Sequence, residues 1–180
     1  MAGIANMSDI RLYVVDTSYL LELYRVDHCS DEQAHKRVKN KFAEAIDSGE
    51  RIYVPVPVLY EVANHVADIK DSSNRKRLAK QLSQTVKSAL EEFVPWTITH
   101  LTDEADISAL MAALMTHAEQ FAEIFSIEKL GLTDTAVVLE AERLRKRYRS
   151  DNLRKYHVHI WTRHQAIKSR EPDIEANQFV

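Results

Sequence analysis

An almost uninterrupted apolar run, Leu12-Tyr13-Val14-Val15, ends at the acidic Asp16 and constrains the fold more than any other feature of the chain. Strands of parallel sheets are buried on both faces and therefore carry such runs. A second run follows at residues 52–54 and a further strand pattern at 156–161, with helical patterns between them. Because strands alternate with helices, the sequence predicts an α/β fold, a three-layer sandwich with a central, mainly parallel sheet.

The periodicity and the capping residues give approximate limits for each element. Strands are predicted over residues 11–15, 51–54, 96–99 and 156–161. Helices are predicted over residues 18–24, 31–48 (ended by Gly49), 73–93, 103 to about 125 (capped by Thr102) and 133 to about 148 (capped by Thr133). A further helix begins near Pro57, and a short one is expected from Gln165.

Composition excludes several classes of protein. The chain has 180 residues, of which 45% are hydrophobic, which suits one compact domain. Its single cysteine excludes an internal disulfide framework, and three glycines are too few for a P-loop or a dinucleotide-binding fingerprint. No membrane-length apolar run and no signal peptide are evident, so we expect a cytoplasmic protein without a membrane partner. The net charge of −3 means that nucleic-acid binding would need a local basic patch.

Three acidic residues, Asp16, Glu61 and Asp134, occupy comparable places in successive βα units. Asp16 ends the first strand, Glu61 lies one turn into the helix after the second, and Asp134 opens a late helix. In open α/β sheets the ligand crevice lies at the carboxyl ends of the strands. Carboxylates gathered there repel one another unless a cation lies among them. The simplest explanation is a hard metal ion and a substrate with oxygens to offer, such as a phosphodiester.

Each acid also has a simpler interpretation. Asp16 precedes a helix and suits an N-cap, Asp134 suits the first helical turn, and Glu61 suits a solvated helix surface. Those interpretations explain the residues singly, but they leave unexplained why all three lie beside predicted strand ends. Ser18, two residues after Asp16, is equally suited to bond a ligand or the backbone.

The ordered segments Val15-Asp16-Thr17-Ser18, Tyr60-Glu61-Val62 and Leu132-Thr133-Asp134-Thr135-Ala136 resemble those of PIN-domain ribonucleases. The resemblance implies one PIN-like domain over residues 1–180, with a helical insertion at about 70–95. It implies metal-dependent hydrolysis of single-stranded RNA, with Asp16, Glu61 and Asp134 as catalytic metal ligands for Mg²⁺ or Mn²⁺. Many members are toxins of toxin–antitoxin pairs, so an antitoxin protein is an implied partner, and the exposed helical arm suits a homodimer.

The chain departs from the family pattern at one position. The family usually has a Thr-x-Asp sequence after a late strand, where this chain has Thr162-Arg163-His164. His164 removes a negative charge and suits Mn²⁺ better than Mg²⁺. Glu171 and Asp173 are candidates to compensate. We expect Arg163 or His164 to contact the scissile phosphate, with Ser18 orienting a ligand or the phosphate.

Two other functions are consistent with the sequence. One is a catalytically weak or inactive PIN-like module that binds RNA or protein. The other is a phosphotransfer receiver with Asp16 as acceptor, which is disfavoured because no acidic pair or late lysine is clearly placed for it. The basic segment from Arg143 to Lys155 surrounds Tyr148 and Tyr156 and is able to guide an RNA backbone. For most of its cations we favour a solvated helix end facing the negative pole of the helix dipole.

Overall fold

The protein is built on a four-stranded, wholly parallel sheet with helices packed around it. The structure, a computed structural model, describes residues 8–99, 107–149 and 154–175. Its strands lie in the order β3-β2-β1-β4. The predicted α/β class with a central parallel sheet is confirmed.

The elements follow one another in strict order along the chain. The strands are β1 (Ser8–Val15), β2 (Arg51–Pro55), β3 (Thr97–Thr99) and β4 (Arg154–Trp161). The helices are α1 (Thr17–Tyr24), α2 (Glu32–Asp47), α3 (Val56–Ala67), α4 (Ser72–Glu91), α5 (Ile107–Gln120), α6 (Leu132–Arg147) and α7 (Gln165–Lys168), with a π-helical turn over Phe121–Phe125 directly after α5.

Local sequence signals explain several of these limits. The Asp31 carboxylate accepts from the Ala34 N–H at 2.8 Å and so caps α2. Gly49, at φ +70°, ends that helix as predicted, because its backbone conformation is one that glycine adopts without steric cost. Pro57 lies in the first turn of α3, where its missing N–H has no helical acceptor to lose.

Most predicted limits agree with the structure to within about two residues, and the differences at α6, β1 and β4 have clear physical causes. Thr133 does not cap α6, because Gly131 is the N-cap and Thr133 already lies inside the helix. β1 and β4 both begin earlier than predicted, since their polar first residues still pair, Ser8 with Arg154 and Asp9 with Lys155. The predicted cap Thr102 and the first residues of its helix lie outside the described residues.

The strand order creates a switch point between β1 and β4. The chain moves from β1 outward to β2 and β3, then returns to add β4 on the other side of β1. β1 and β4 are parallel and in register from Ser8–Arg154 to Val15–Trp161, so their carboxyl ends lie side by side. Ligand crevices of open α/β sheets form at such points. Asp16 and Thr162 are the first residues beyond the two strands.

Aromatic packing fixes the end of β4 beneath α2. The buried Trp161 ring stacks on Tyr13 of β1, with centroids 4.1 Å apart, and meets Phe42 of α2 edge-on at 5.0 Å. Such pairs are worth about 0.5–1.5 kcal/mol beyond the area they bury. Because Thr162 follows Trp161 directly, this packing holds it in a fixed position beside Asp16.

Side chains of residues 168–173 form hydrogen bonds with main-chain groups of β4 on the edge that does not pair with β1. Glu171 and Asp173 accept from the N–H groups of Ile160 and Val158, at 3.2 and 2.8 Å, and Lys168 donates to the Ile160 carbonyl at 3.0 Å. Glu171 also pairs with Lys168 at 2.6 Å. The suggestion that Glu171 or Asp173 replaces the fourth acid is therefore wrong, because both carboxylates are committed to the strand.

Within the described residues, no helix is long and apolar enough to cross a membrane.

Candidate metal and phosphodiester site

Asp16 is held in a fixed orientation at the junction of β1 and α1. Its Oδ2 accepts from the Ser18 hydroxyl at 2.7 Å, the Thr162 hydroxyl at 2.8 Å and, more weakly, the Ser18 N–H at 3.4 Å. The residue is 4% exposed. Asp16 is therefore the N-cap of α1, as its simpler interpretation predicted, and it also lies at the sheet's switch point.

Glu61 approaches the same region from α3. Its Oε2 accepts from the hydroxyl of Thr17, the residue after Asp16, at 3.0 Å. Its other carboxylate oxygen has no hydrogen-bond partner within the described residues. Glu61 is half-buried rather than part of a fully solvated surface. The Thr17 hydroxyl thus joins α3 to the end of β1.

Asp134 completes the set from the first turn of α6. Its Oδ2 accepts from the Gly131 N–H at 2.7 Å, which caps the helix. Among the described residues its second oxygen has no hydrogen-bond partner. The interpretation of Asp134 as a first-turn helix acid is therefore correct, and it is compatible with a role in a ligand site.

Burial raises the proton affinity of Asp16 and Asp134. Burial raises the pKa of Asp16, and the hydrogen bonds from Ser18 and Thr162 offset part of that rise. Burial is also the main cause of the raised pKa of Asp134, to which the charges of Asp16 and Glu61 add. The hydrogen bond from Gly131 and the nearby His164 act in the opposite direction. Asp16, Glu61 and His164 are thus all close enough to Asp134 to act on it electrostatically.

The last two predicted residues follow Thr162. The His164 N–H donates to the Thr162 hydroxyl at 2.9 Å, so the loop after β4 folds back on itself beside Asp16. The Arg163 N–H donates to the Ser18 hydroxyl at 2.9 Å. Ser18 thus accepts from this loop while donating to Asp16, and its hydroxyl is already committed within the protein.

The Arg163 guanidinium does not point freely into the site. It forms an ion pair with Glu22 of α1, whose side chain is fully buried. Glu22 also accepts from the Asp31 N–H at 3.2 Å, so one carboxylate joins α1, the start of α2 and the loop after β4. The expectation of a free phosphate-binding Arg163 therefore needs revision, because a phosphate would have to share the guanidinium with Glu22.

Sequence reasoning missed Glu22 and Thr17. Glu22 is the single charged residue of α1, in the segment Tyr19-Leu20-Leu21-Glu22-Leu23-Tyr24, and a lone acid in an apolar helix is a signal for a buried ion pair. Thr17 directly follows Asp16, but nothing in the sequence shows that its hydroxyl reaches a helix 44 residues later.

The donor set can be compared with the needs of a metal ion. Carboxylate oxygens are the ligands that Mg²⁺ and Mn²⁺ prefer. In the described part of the chain, however, no three His, Cys, Asp or Glu side chains are placed to hold one ion together. Mg²⁺ usually keeps several waters and binds through one or two carboxylates. The residues therefore fit a partly hydrated ion, and they do not form a complete protein cage.

The sequence profile of the PIN domain matches residues 13–134, which is more than half of the chain. The protein therefore belongs to the PIN domain family. PIN domains are typically nucleases that use divalent metal ions and act on RNA, and the coarse function of this chain is of that nuclease type. The match includes Asp16, Glu61 and Asp134 and ends before β4, so Thr162, Arg163 and His164 lie outside it. A search of curated proteins found no significant match.

Proposed function

We propose that the protein is a metal-dependent endoribonuclease that hydrolyses single-stranded RNA. The observation that carries the proposal is that Asp134 lies near enough to Asp16 and Glu61 for their charges to raise its pKa, while Asp16 directly follows β1 at the switch point. The charges of Asp16 and Glu61 act on Asp134 from distant parts of the chain, and a raised pKa on both Asp16 and Asp134 is costly for a merely structural role. A divalent cation would relieve that repulsion.

The contacts of each residue indicate its role in the proposed reaction. Asp16 and Asp134 would hold Mg²⁺ or Mn²⁺, with Glu61 acting through water or directly, and Ser18, Thr162 and Thr17 would keep the carboxylates oriented. When bound, such an ion activates water for attack and offsets the charge that develops on the phosphate. His164, which is exposed, would contact the scissile phosphate, and Arg163 would share its guanidinium between that phosphate and Glu22.

A role as the toxin of a toxin–antitoxin pair is the finer form of this proposal. It requires a protein partner, and α5 offers apolar surface in the adjacent exposed side chains of Met111, Leu114 and Met115. The same surface is suited to a homodimer. The second half of α4 is less suited to one, because Leu82 and Ala89 of its apolar stripe are buried in the core.

The alternative is a PIN module without turnover that binds RNA or protein. Two observations favour it: His164 stands where the family has an acid, and within the described residues three potential ligands do not gather around one point. The two functions predict opposite results in a metal-dependent cleavage assay.

The test is cleavage of a labelled single-stranded RNA with Mn²⁺, with Mg²⁺ and with a chelator. We expect cleavage with metal, none with chelator, and a loss of at least about a hundredfold in Asp134→Asn. Asp47→Asn is the matched control, because Asp47 is an exposed acid at the end of α2, away from the proposed site. If the folded wild type is inert in both metals, the nuclease proposal fails. Equal loss in both variants would remove Asp134 from the mechanism.

A further inference from the structure

Positive charge is concentrated at the end of the sheet opposite the carboxylates. Arg51 begins β2, Lys146 and Arg147 end α6, Arg149 follows that helix, and Lys155 lies at the start of β4. We call these five residues the basal cationic patch. α6 connects the two ends, because Asp134 is in its first turn and Arg147 is its last residue. At about 1.5 Å of rise per residue, they are separated by about 20 Å along the helix axis.

Within the part of the chain that the structure describes, most of these cations have no carboxylate partner. The neighbouring Arg143 and Arg145 are engaged, by Glu140 at 2.7 Å and by Asp173 at 3.4 Å. By contrast, no carboxylate of the described residues pairs with Lys146, Arg147 or Arg149, and the same holds for Lys155. Among the described residues these four cations thus have no direct carboxylate partner, on a chain whose net charge is −3.

Tyr148 organises the centre of the patch. Its hydroxyl accepts from Arg51 at 3.3 Å and from the Tyr53 hydroxyl at 3.2 Å. The guanidinium carbons of Arg51 and Arg147 lie 5.5 and 5.8 Å from the centre of its ring. Burial tends to raise the pKa of Tyr148, yet the hydrogen bond from Tyr53 and the adjacent guanidiniums lower it overall. Two arginines from different elements are therefore held at one surface.

The helix dipole does not explain this arrangement. Cations in the last turn of a helix stabilise its negative end, which accounts for Lys146 and Arg147. Arg51, Arg149 and Lys155 lie outside α6, on β2, after the helix and on β4. Their convergence with the helix end is a property of the folded surface. The helix-end interpretation of the basic segment holds for the last turn of α6, and it does not cover the cations that lie outside the helix.

We infer that the basal cationic patch binds the phosphate backbone of single-stranded RNA at a distance from the site of cleavage. The inference rests on the proposed function, because the carboxylate site by itself repels phosphates and offers one guanidinium that Glu22 already shares. A basic surface at the other end of α6 would supply the attraction that the acidic site lacks. The rings of Tyr148 and Tyr156 pack against each other in a tilted arrangement, with centroids 5.3 Å apart, so the patch would act through charge rather than base stacking.

The experiment measures binding without cleavage. A fluorescent uridine RNA of about 15 nucleotides, near the upper end of single-strand site sizes, is titrated with the full chain in chelator at about 50–200 mM salt. Lys146→Gln with Arg149→Gln removes two cations of the patch. The matched control is Lys76→Gln with Lys80→Gln, which removes two exposed cations of α4. For a single strand, each phosphate contact contributes about −0.7 to the slope of log K against log salt. Loss of two contacts should therefore make the slope of the patch variant shallower by about 1.4.

Each outcome is decisive for the inference. A shallower slope in the patch variant, with the control like wild type, supports it. An unchanged patch variant, equal changes in both variants, or no RNA binding by wild type overturns it, and the last result would favour an acidic protein as the partner of the patch. Failure of the proposed function looks different: wild type would bind RNA with the patch-dependent slope and yet cleave nothing in either metal.

Discussion

The first prediction concerns the ion pair between Arg163 and Glu22, which joins the loop after β4 to α1 beside the candidate site. Glu22 is fully buried, whereas the Arg163 side chain is 43% exposed. Removing one partner of a fully buried pair costs about 3–5 kcal/mol, because the other charge stays in the interior. Solvent around the guanidinium screens part of this interaction, so we expect a cost of about 2 kcal/mol for Arg163→Gln.

The two partners should behave asymmetrically. In Glu22→Gln the exposed arginine regains water and the amide oxygen still accepts from the Asp31 N–H, so the loss should be about 1 kcal/mol. The double variant should resemble Glu22→Gln alone, because no charge is then left buried. That outcome corresponds to a coupling energy of about 2 kcal/mol between the two sites.

The wild type, the two single variants and the double variant are unfolded with urea at neutral pH and low salt. Their unfolding midpoints are compared, provided that the dependence of the unfolding free energy on urea concentration is the same for all four. Additive losses in the double variant would show that the two residues act independently. A cost below about 0.5 kcal/mol for Arg163→Gln, the usual range for a surface position, would show that Glu22 does not depend on this partner. Either result would favour the predicted role of Arg163 as a contact to the scissile phosphate.

Three further predictions concern individual charged groups. Because burial raises the pKa of Asp16, the folded metal-free protein binds the Asp16 proton more tightly than the unfolded chain does. Stability therefore falls as pH rises from about 4. Asp16→Asn should remove this loss of stability in thermal melts and should also abolish metal-dependent cleavage. His164→Asp should raise cleavage in Mg²⁺ relative to Mn²⁺, because Mg²⁺ requires hard oxygen ligands, and an unchanged metal preference would place His164 outside the site. Burial lowers the pKa of His159, so acidification below about pH 6.5 should destabilise the protein as this histidine is protonated. Melts of His159→Gln between about pH 7 and 5 should show a weaker dependence, and a dependence as steep as wild type would assign the effect to another group.

The sequence predicts the architecture because each main element has its own local signal. The apolar run before Asp16, the cap at Asp31 and the stop at Gly49 act over a few residues, and all three appear where predicted. The sequence does not predict where β1 and β4 begin, because the first residues of both strands are polar. Only pairing between strands nearly 150 residues apart makes those residues part of the sheet.

The site was predictable only in part, for the same reason. The positions of Asp16 and Asp134 follow from strand and helix signals, since Asp16 comes directly after β1 and Asp134 lies in the first turn of α6. The role of Arg163 was not predictable, because its partner Glu22 lies 141 residues earlier. The importance of Asp16 and Asp134 in metal binding and turnover stays a prediction that the cleavage assay tests.

The side chains along β4 also limit how copies of this protein can associate. An outer strand with free main-chain groups is a template on which another chain can add a strand. Lys168, Glu171 and Asp173 occupy that template on β4, and at the other side of the sheet β3 offers a strand of only three residues. Growth by strand addition, whether into a continuous intermolecular sheet or into a fibre, is therefore blocked at the longer edge. Assemblies of this protein should instead form through side chains of its helices.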